Sequence, residues 1–293
     1  MDMPSVFRRT RIAPTPSGYL HIGNALSFII TAGLAAETGA QMLLRIDDMD
    51  RARADERYVQ DIFDTLGFLN IPWQEGPRDP QEFNSGWSQM LRLDKYNAAL
   101  EQVRKSGQVF ACNCSRSQLK GLAAYPGNCR YKNIPLDEPG VSWRLKTEPA
   151  TISIKTLNGY ITEPLPVEMT DFVIRKKDGY PAYQLSSAVD DVLFNVDLIV
   201  RGQDLWASTL AQLYLAQISG LPFSNVTFYH HPLLLGSDGT KLSKSAGATS
   251  IKYMREQGYS TEEVLIAIAK QTGVNETMID WRQLYDRLKG NLP

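Results

Sequence analysis

The first 46 residues contain the pattern that most constrains the fold of this chain. They predict a strand at Thr10–Ala13, a turn at Pro14–Gly18, a helix at His21–Glu37 that Gly39 closes, and a strand at Met42–Ile46. A strand, a helix and a strand in so short a span form a βαβ unit with parallel strands. Because ligands bind at the carboxyl ends of parallel strands in open α/β sheets, we expect the turn to belong to a binding site.

Composition limits the class of protein. Of the 293 residues, 43% are hydrophobic and 22% are charged, which excludes a disordered or fibrous protein. The 31 Lys and Arg against 32 Asp and Glu argue against general coating of nucleic acid, although a local basic surface stays compatible. The longest apolar stretch, residues 25–36, is shorter than the roughly 20 residues that span a bilayer, and no signal peptide precedes it. We therefore expect a cytoplasmic protein without membrane contact.

The α/β pattern is interrupted and then resumes. From Gln108 to Tyr183 helical periodicity fades and β-type segments take over, which indicates an insertion. A strand at Leu198–Val200, a helix at Leu205–Ile218 and a strand at Val226–His230 then continue the first pattern. A last helix is predicted to begin after Ser260 and to end near residue 269, with little beyond it.

The predicted architecture is therefore a split Rossmann-like parallel sheet with an inserted α+β domain and a short helical tail. The predicted bounds are residues 1–107 for the first half of the sheet domain, 108–183 for the insertion, 184–245 for the second half and 246–293 for the tail. We expect the chain to act as a monomer.

Two segments have residue types that suit phosphate, although neither standard glycine motif for nucleotides is present. His21, Gly23 and Asn24 lie at a predicted helix N-terminus, where backbone N–H groups favour an anion and Gly23 allows close approach. Lys241 and Lys244 lie between glycines and suit neutralisation of a triphosphate. Taken singly, the first segment is more simply a plain helix start and the second a solvated loop. Because both segments occur in this order on a split sheet, the pair is more specific evidence for nucleotide binding than either segment alone.

With these motifs the sequence resembles the class I aminoacyl-tRNA synthetases, whose two signatures look like residues 21–24 and 241–245. More narrowly it resembles the glutamyl branch, over about residues 8–250. The blocks that look like that branch are Arg11–Gly18, Leu44–Arg51, Tyr180–Gln184 with Val189–Asp191, and Val200–Gly202.

The resemblance implies an enzyme that activates L-glutamate with ATP and Mg²⁺. It implies that His21, Gly23, Asn24, Lys241 and Lys244 bind ATP, with His21 and the two lysines acting in catalysis. The residues that it implies for glutamate are Arg11, Ala13, Thr15, Asp47, Tyr183 and Arg201. Independently of the resemblance, the rigid fork of an Arg such as Arg11 is the best match for a side-chain carboxylate.

Two positions depart from the glutamyl pattern. Asp47 stands where the branch usually has Glu as the partner of the substrate ammonium group, so the reach is one methylene shorter. Ser187 stands where full-length glutamyl enzymes usually have Asn. We therefore expect the amino acid to bind in a shifted position or through a bridging water.

The three cysteines indicate a metal site. Cys112, Cys114 and Cys129 fall within 18 residues, and in a cytosolic protein such clustering favours structural zinc over incidental core thiols. Three thiolates leave one tetrahedral position, which the resemblance assigns to Tyr125.

The acceptor of the glutamyl group is the last expectation from the sequence. Only 48 residues follow Ser245, where full-length glutamyl synthetases have helical domains that read the anticodon. A short relative with this cysteine pattern resembles the glutamyl-queuosine tRNA(Asp) synthetases, which transfer glutamate to the queuosine base. The alternatives are a truncated glutamate-tRNA ligase that charges a tRNA 3′ end, a ligase with a non-tRNA acceptor, and a noncatalytic tRNA-binding relic.

Overall fold

A computed structural model describes residues 6–234 and 250–290 of the chain. Lys241 and Lys244 lie outside these residues. The described strands are β1 (Arg9–Ile12), β2 (Gln41–Leu44), β3 (Val109–Cys112), β4 (Ser142–Leu145), β5 (Thr151–Thr156), β6 (Gly159–Pro164), β7 (Val173–Arg175), β8 (Leu198–Gly202) and β9 (Thr227–His231).

The helices in the same parts of the chain range from single turns to seventeen residues. They are α1 (Ile22–Thr38), α2 (Glu56–Phe68), α3 (Pro80–Glu82), α4 (Leu93–Lys105), α5 (Arg116–Leu119), α6 (Tyr183–Leu193), α7 (Trp206–Ser219), α8 (Ile251–Glu256), α9 (Thr261–Gln271) and α10 (Trp281–Lys289). Within residues 6–234 and 250–290, none is long and apolar enough to cross a membrane.

The chain divides into two compact units. The first comprises Met1–Leu91, Val196–Gln203 and Phe228–Pro293, and the second comprises Arg92–Asn195 and Asp204–Thr227. The second unit thus contains α4, α6 and α7 in addition to the whole segment that the sequence indicates as an insertion. The domain bounds given above stay predictions.

The first unit is built on parallel strands. Its strand order is β2-β1-β8-β9, and β1 pairs in parallel with β2 along its whole length and with β8 at Thr10 and Leu198. Strands from the start and from the later part of the chain therefore lie in one sheet, and the expected parallel α/β architecture is confirmed. The order changes direction between β1 and β8, the place where open α/β sheets bind their ligands.

Helix α1 connects the first two strands as the sequence predicts. His21 caps its start, and Gly39 ends it with φ 76°, a left-handed conformation that glycine adopts without a Cβ clash. Residues on the inner side of α1, such as Ala25, Ile29 and Ala32, are buried. Burial of this apolar side holds the turn before α1 against the sheet.

The end of the chain differs from expectation. The capping pattern at Ser260 predicts a last helix that ends near Ala269 with little beyond it, which is wrong because α10 follows. Asp280 caps α10, and Trp281, Leu284, Tyr285 and Leu288 are buried at helical spacing. Tyr285 lies against Gly33 of α1, and its hydroxyl donates to Glu37 Oε2 at 2.7 Å. The three helices after residue 250 thus include one that packs on α1.

The strands of the second unit pair with one another in antiparallel fashion. Strands β3, β4 and β7 form a three-stranded sheet, and β5 and β6 form a hairpin from Thr151 and Pro164 to Thr156 and Gly159. This confirms the β-type segments expected after residue 108. Buried Asp171 accepts hydrogen bonds from the Thr147 amide at 2.9 Å and from Arg130 Nη1 at 2.8 Å. Arg130 is next to Cys129, so this ion pair holds the cysteine segment to the unit.

Candidate functional site

The His21 turn is ordered by its own side chains. His21 Nδ1 accepts a hydrogen bond from the Gly23 amide at 3.1 Å, and Asn24 Oδ1 accepts one from the His21 amide at 3.1 Å. Because Nδ1 accepts, a neutral His21 ring carries its proton on Nε2, the form that donates to an anion. In this conformation the Gly23 amide is therefore engaged by His21 within the turn.

Gly23 has a steric role in the same turn. A Cβ at this position would lie 3.0 Å from both Cε1 and Nδ1 of His21. A side chain at residue 23 would therefore push the ring out of its capping position. The ATP-binding role of Gly23 and Asn24 stays a prediction.

Two buried arginines lie on neighbouring strands at the switch point. Arg11 of β1 is 5% exposed and Arg201 of β8 is 3% exposed. Arg11 Nη1 donates to the Val200 carbonyl at 3.3 Å, and the Arg201 guanidinium lies 5.5 Å from the centre of the Phe228 ring. Two buried cations on adjacent strands form a strongly positive site that suits carboxylates.

The positive charge of the two arginines affects His230 on β9. Burial, and repulsion of the charged form by Arg201, His231 and Arg11, together lower its pKa to about 3. Its ring stacks on Phe228 at a centroid distance of 6.2 Å. His230 is therefore a neutral group beside the two arginines, and the sequence analysis does not single it out. Its position at the carboxyl end of a predicted strand is the available signal.

We expect His230 to stay neutral from pH 8 to about pH 4. Because the pKa of an unfolded histidine is about 6.5, the unfolded chain binds the proton first, so stability falls as the pH falls from 6.5 toward 3. The measurement is the NMR shift of the imidazole Cε1–H, assigned by its loss in His230→Gln, with the other histidine signals as internal references. A His230 midpoint above pH 5 would contradict this expectation.

Asp47 is held by an arginine two residues earlier in the chain. Arg45 donates to both of its carboxylate oxygens, at 2.7 and 3.0 Å, and both side chains are buried. A bidentate fork of this kind fixes the orientation of the carboxylate. Any binding of an ammonium group must use the remaining lone pairs of Asp47.

The other residues implied for glutamate are divided between the units. Ala13 and Thr15 follow β1 and are half-buried, and the Asp47 amide donates to the Pro14 carbonyl at 2.9 Å, which places this segment beside Asp47. In the second unit, Tyr183 begins α6 and is 40% exposed, and Ser187 of the same helix is fully buried. The structure thus brings together Arg11, Ala13, Thr15, Asp47 and Arg201 within one unit.

The cysteine cluster of the second unit is compact. The three Sγ atoms lie within 4.8 Å of one another, with Cys114 and Cys129 at 3.6 Å. Tyr125 Oη lies 3.4 Å from Cys112 Sγ and accepts a hydrogen bond from the Cys129 amide at 2.9 Å. The cluster can hold a metal ion, and its donors come from the end of β3 and from the segment after α5.

Arg144 lies beside this cluster. Its guanidinium carbon is 3.8 Å from the centre of the Tyr125 ring, and Nη1 donates to the Asp171 carbonyl at 2.7 Å. The Tyr125 and Arg144 side chains help to lower the pKa of Cys112 to about 7 against the opposing effect of burial, the largest single influence. A thiol with a lowered pKa is more readily the thiolate that metals bind.

The geometry fits zinc. For tetrahedral zinc with Zn–S distances of about 2.3 Å, two sulfur ligands lie about 3.8 Å apart. The distance between Cys114 and Cys129 is close to that value, and the Tyr125 phenol oxygen lies beside Cys112 Sγ. With Tyr125 as a fourth donor, the set would be closed by protein groups, which is typical of a structural site.

The parallel sheet, with the capped His21 turn and two buried arginines near its switch point, is a Rossmann-like fold. A family model for the tRNA synthetases class I (E and Q), catalytic domain, matches residues 8–133 and 141–280. The chain belongs to this family of class I tRNA synthetases.

Individual relatives are similar over most of this chain. It is 35% identical over 280 residues to the glutamate–tRNA ligase of Anaeromyxobacter sp. (strain K), which covers 90% of this chain and 56% of the relative. It is 34% identical over 269 residues to glutamate–tRNA ligase 2 of Acidithiobacillus ferrooxidans, or 86% and 55% of the two chains. The chain thus spans little more than half the length of these curated relatives.

Among solved structures, the glutamate-tRNA synthetase from Elizabethkingia anophelis has a similar fold. The TM-score is 0.74 at 20% identity, with 95% of this chain and 65% of that chain covered. Methionyl-tRNA synthetase from Mycobacterium tuberculosis, in complex with methionyl-adenylate, is more distant, with a TM-score of 0.54 at 13% identity over 90% of this chain and 64% of that chain. These similarities support the fold of the class I synthetases.

Proposed function

We propose that this protein activates L-glutamate with ATP to form glutamyl-adenylate and transfers the glutamyl group to the queuosine base of tRNA(Asp). The observation that carries the activation step is the pair of buried arginines on β1 and β8, in the same unit as the capped His21 turn. The family and its glutamate–tRNA ligase members support the choice of glutamate.

In this proposal Arg11 binds the side-chain carboxylate of glutamate. A buried guanidinium gains a bidentate, charge-assisted pair from glutamate but none from glutamine. Glutamine would leave the cation without that partner, a mismatch that binding sites reject strongly. Arg201 adds positive charge to the site, and His230 adds no charge because its ring is neutral.

The activation step forms one bond and breaks one. An oxygen of the glutamate α-carboxylate attacks the α-phosphorus of ATP, and the bond from that phosphorus to the bridging oxygen breaks as pyrophosphate leaves. Bound Mg²⁺ supplies neutralisation of phosphate charge. In the chain itself, His21 donates from Nε2 to a phosphate oxygen, and Lys241 and Lys244 stabilise the departing charge.

In the transfer step, a cyclopentenediol hydroxyl of queuosine attacks the carbonyl carbon of glutamyl-adenylate. AMP leaves, and an ester links glutamate to the modified base while the hydroxyl proton passes to solvent. The set Cys112, Cys114, Tyr125 and Cys129 resembles that of the glutamyl-queuosine enzymes and supports this acceptor. The 3′ end of a glutamate tRNA is the second candidate, because relatives about 35% identical are glutamate–tRNA ligases.

The test has two parts. Glutamate-dependent ATP–pyrophosphate exchange examines activation, and its absence would overturn the activation step. Transfer of labelled glutamate is then compared for queuosine-containing tRNA(Asp), the same tRNA without queuosine, and tRNA(Glu). A fourth substrate, queuosine-containing tRNA(Asp) without its 3′-terminal adenosine, should still accept glutamate. Charging of tRNA(Glu) alone would assign the second candidate.

We also propose that the cysteine cluster binds one structural zinc ion. Protein purified without chelators is expected to contain about one zinc per chain, and Cys114→Ser should lose it because the variant lacks one of the three thiolates, the strongest donors of the set. Tyr125→Phe should weaken zinc binding about tenfold or more. The measurements are elemental analysis and competition with a chromophoric chelator.

A matched variant controls this experiment. Tyr131 lies two residues beyond Cys129 and is 83% exposed, so Tyr131→Phe should leave zinc affinity unchanged. Equal affinities for Tyr125→Phe and Tyr131→Phe would remove Tyr125 from the ligand set. Wild-type protein without stoichiometric zinc would show that the proposal is wrong.

A further inference from the structure

A buried carboxylate on α2 contacts the segment that leads into His21. Asp61 is 2% exposed and lies among buried residues of α2 such as Ile62 and Leu66. A carboxylate in such surroundings is costly unless it is paired and hydrogen-bonded. Burial raises the pKa of Asp61, and its two partners oppose that rise.

The first partner belongs to the His21 turn. Asp61 Oδ2 accepts a hydrogen bond from the Leu20 amide at 3.0 Å. Leu20 immediately precedes His21, which caps α1 through its ring. The carboxylate therefore fixes the backbone at the residue before the cap.

The second partner belongs to α8. Arg255 Nη2 donates to Asp61 Oδ1 at 2.6 Å. The chain near the start of α8 also returns to the turn, because the Ile251 amide donates to the Leu20 carbonyl at 2.8 Å and Ser250 forms an antiparallel bridge with His21. Asp61 thus joins three segments that meet at His21, although it is 40 residues away in the sequence.

We propose that Asp61 is a positioning residue that holds the His21 turn in the geometry that binds ATP. The inference rests on the proposed function, since it assigns to Asp61 the placement of the His21 donor. An isolated core ion pair would stabilise the fold without favouring one substrate. Asp61 differs from such an ion pair because it also accepts a hydrogen bond from the Leu20 amide. Removal of the carboxylate should therefore disturb the turn at His21 that we propose binds phosphate.

The neighbouring Asp64 provides a matched control. It is on the same helix and 3.6 Å from Arg255, but its side chain is 42% exposed. Asp61→Asn and Asp64→Asn make the same chemical change and remove one carboxylate near the same arginine. In Asp61→Asn the amide must present its NH₂ group to one of two donors, so one hydrogen bond is lost.

We expect Asp61→Asn to raise the KM for ATP in glutamate-dependent exchange at least about tenfold, while the KM for glutamate changes less than about twofold. Asp64→Asn should change neither KM. Equal effects of the two substitutions on KM for ATP, or a fall in thermal stability without a change in that KM, would overturn the proposal. If Asp61→Asn does not fold, Arg255→Lys is measured in the same way and should raise only the KM for ATP.

A second measurement separates this inference from the proposed function. Hydrogen exchange of the peptide that contains residues 19–26 should be at least about tenfold faster in Asp61→Asn than in wild type, and unchanged in Asp64→Asn. If the wild-type protein shows no glutamate-dependent ATP–pyrophosphate exchange, the activation proposal fails. The affinity for ATP and the hydrogen exchange of this peptide then still test the role of Asp61. Unchanged protection of the peptide in Asp61→Asn would overturn the positioning role.

Discussion

Arg11→Met is expected to lower kcat/KM for glutamate in ATP–pyrophosphate exchange by about 10²- to 10³-fold. Loss of one partner from a buried, hydrogen-bonded charge pair costs about 2–5 kcal/mol, and each 1.4 kcal/mol is a factor of ten. The effect should fall mainly on glutamate, because Arg11 is buried at the switch point of the sheet and we propose that it binds the substrate carboxylate. Preference for glutamate over glutamine should fall in the same variant.

Arg9 supplies the control for this substitution. It lies two residues earlier on β1, and its guanidinium pairs with Glu75 at 2.7 Å, with both side chains partly exposed. An exposed ion pair contributes little, so Arg9→Met should leave kcat/KM within about twofold of wild type. A similar loss in both variants would indicate general damage to β1, and an unchanged preference for glutamate in Arg11→Met would remove Arg11 from the site.

Gly33→Ala is expected to destabilise the first unit by about 1–3 kcal/mol. A Cβ at residue 33 would stand 2.1 to 2.4 Å from ring carbons of Tyr285, so the ring and α10 must shift. Overpacking of this kind costs about 1–3 kcal/mol, and displacement of Tyr285 also strains its hydrogen bond to Glu37. The higher helix propensity of alanine offsets only about 1 kcal/mol.

Gly67→Ala is the matched substitution on α2. Nothing lies within 4 Å of the Cβ that it would add, so stability should be unchanged or rise by up to about 1 kcal/mol. The measurements are urea denaturation and hydrogen exchange of the α1 and α10 peptides, because one transition does not describe a protein of two units. Gly33→Ala as stable as wild type, with α10 still protected, would show that Tyr285 does not constrain α1.

The local parts of the fold could be predicted from the sequence. The cap at His21, the left-handed Gly39 and the flanking apolar strands act over a few residues, so their pattern identifies β1, α1 and β2. The cysteine cluster could also be predicted, because Cys112, Cys114 and Cys129 are close along the chain. Helix α10 had the same kind of signal, with Asp280 as its cap and four apolar residues at helical spacing, and was missed.

The contacts of the site depended on residues far apart in the chain. In the sequence, Asp61 is indistinguishable from an ordinary polar residue of a helix. Its contacts with Leu20 and Arg255 form only in the folded protein. In the sequence, Gly33 is only a residue of low helix propensity. The structure shows that Tyr285 packs against it and leaves no room for a Cβ. The charge around Arg11, Arg201 and His230 likewise arises from three strands.

The sequence by itself determined the parallel βαβ unit, the family resemblance and the identity of the residues available for chemistry, because these follow from local pattern and residue type. Only the tertiary structure decided which of those residues share one buried site. Burial removes solvent screening, so a contact between distant segments, such as Arg255 with Asp61, acquires an energy that neither segment has alone.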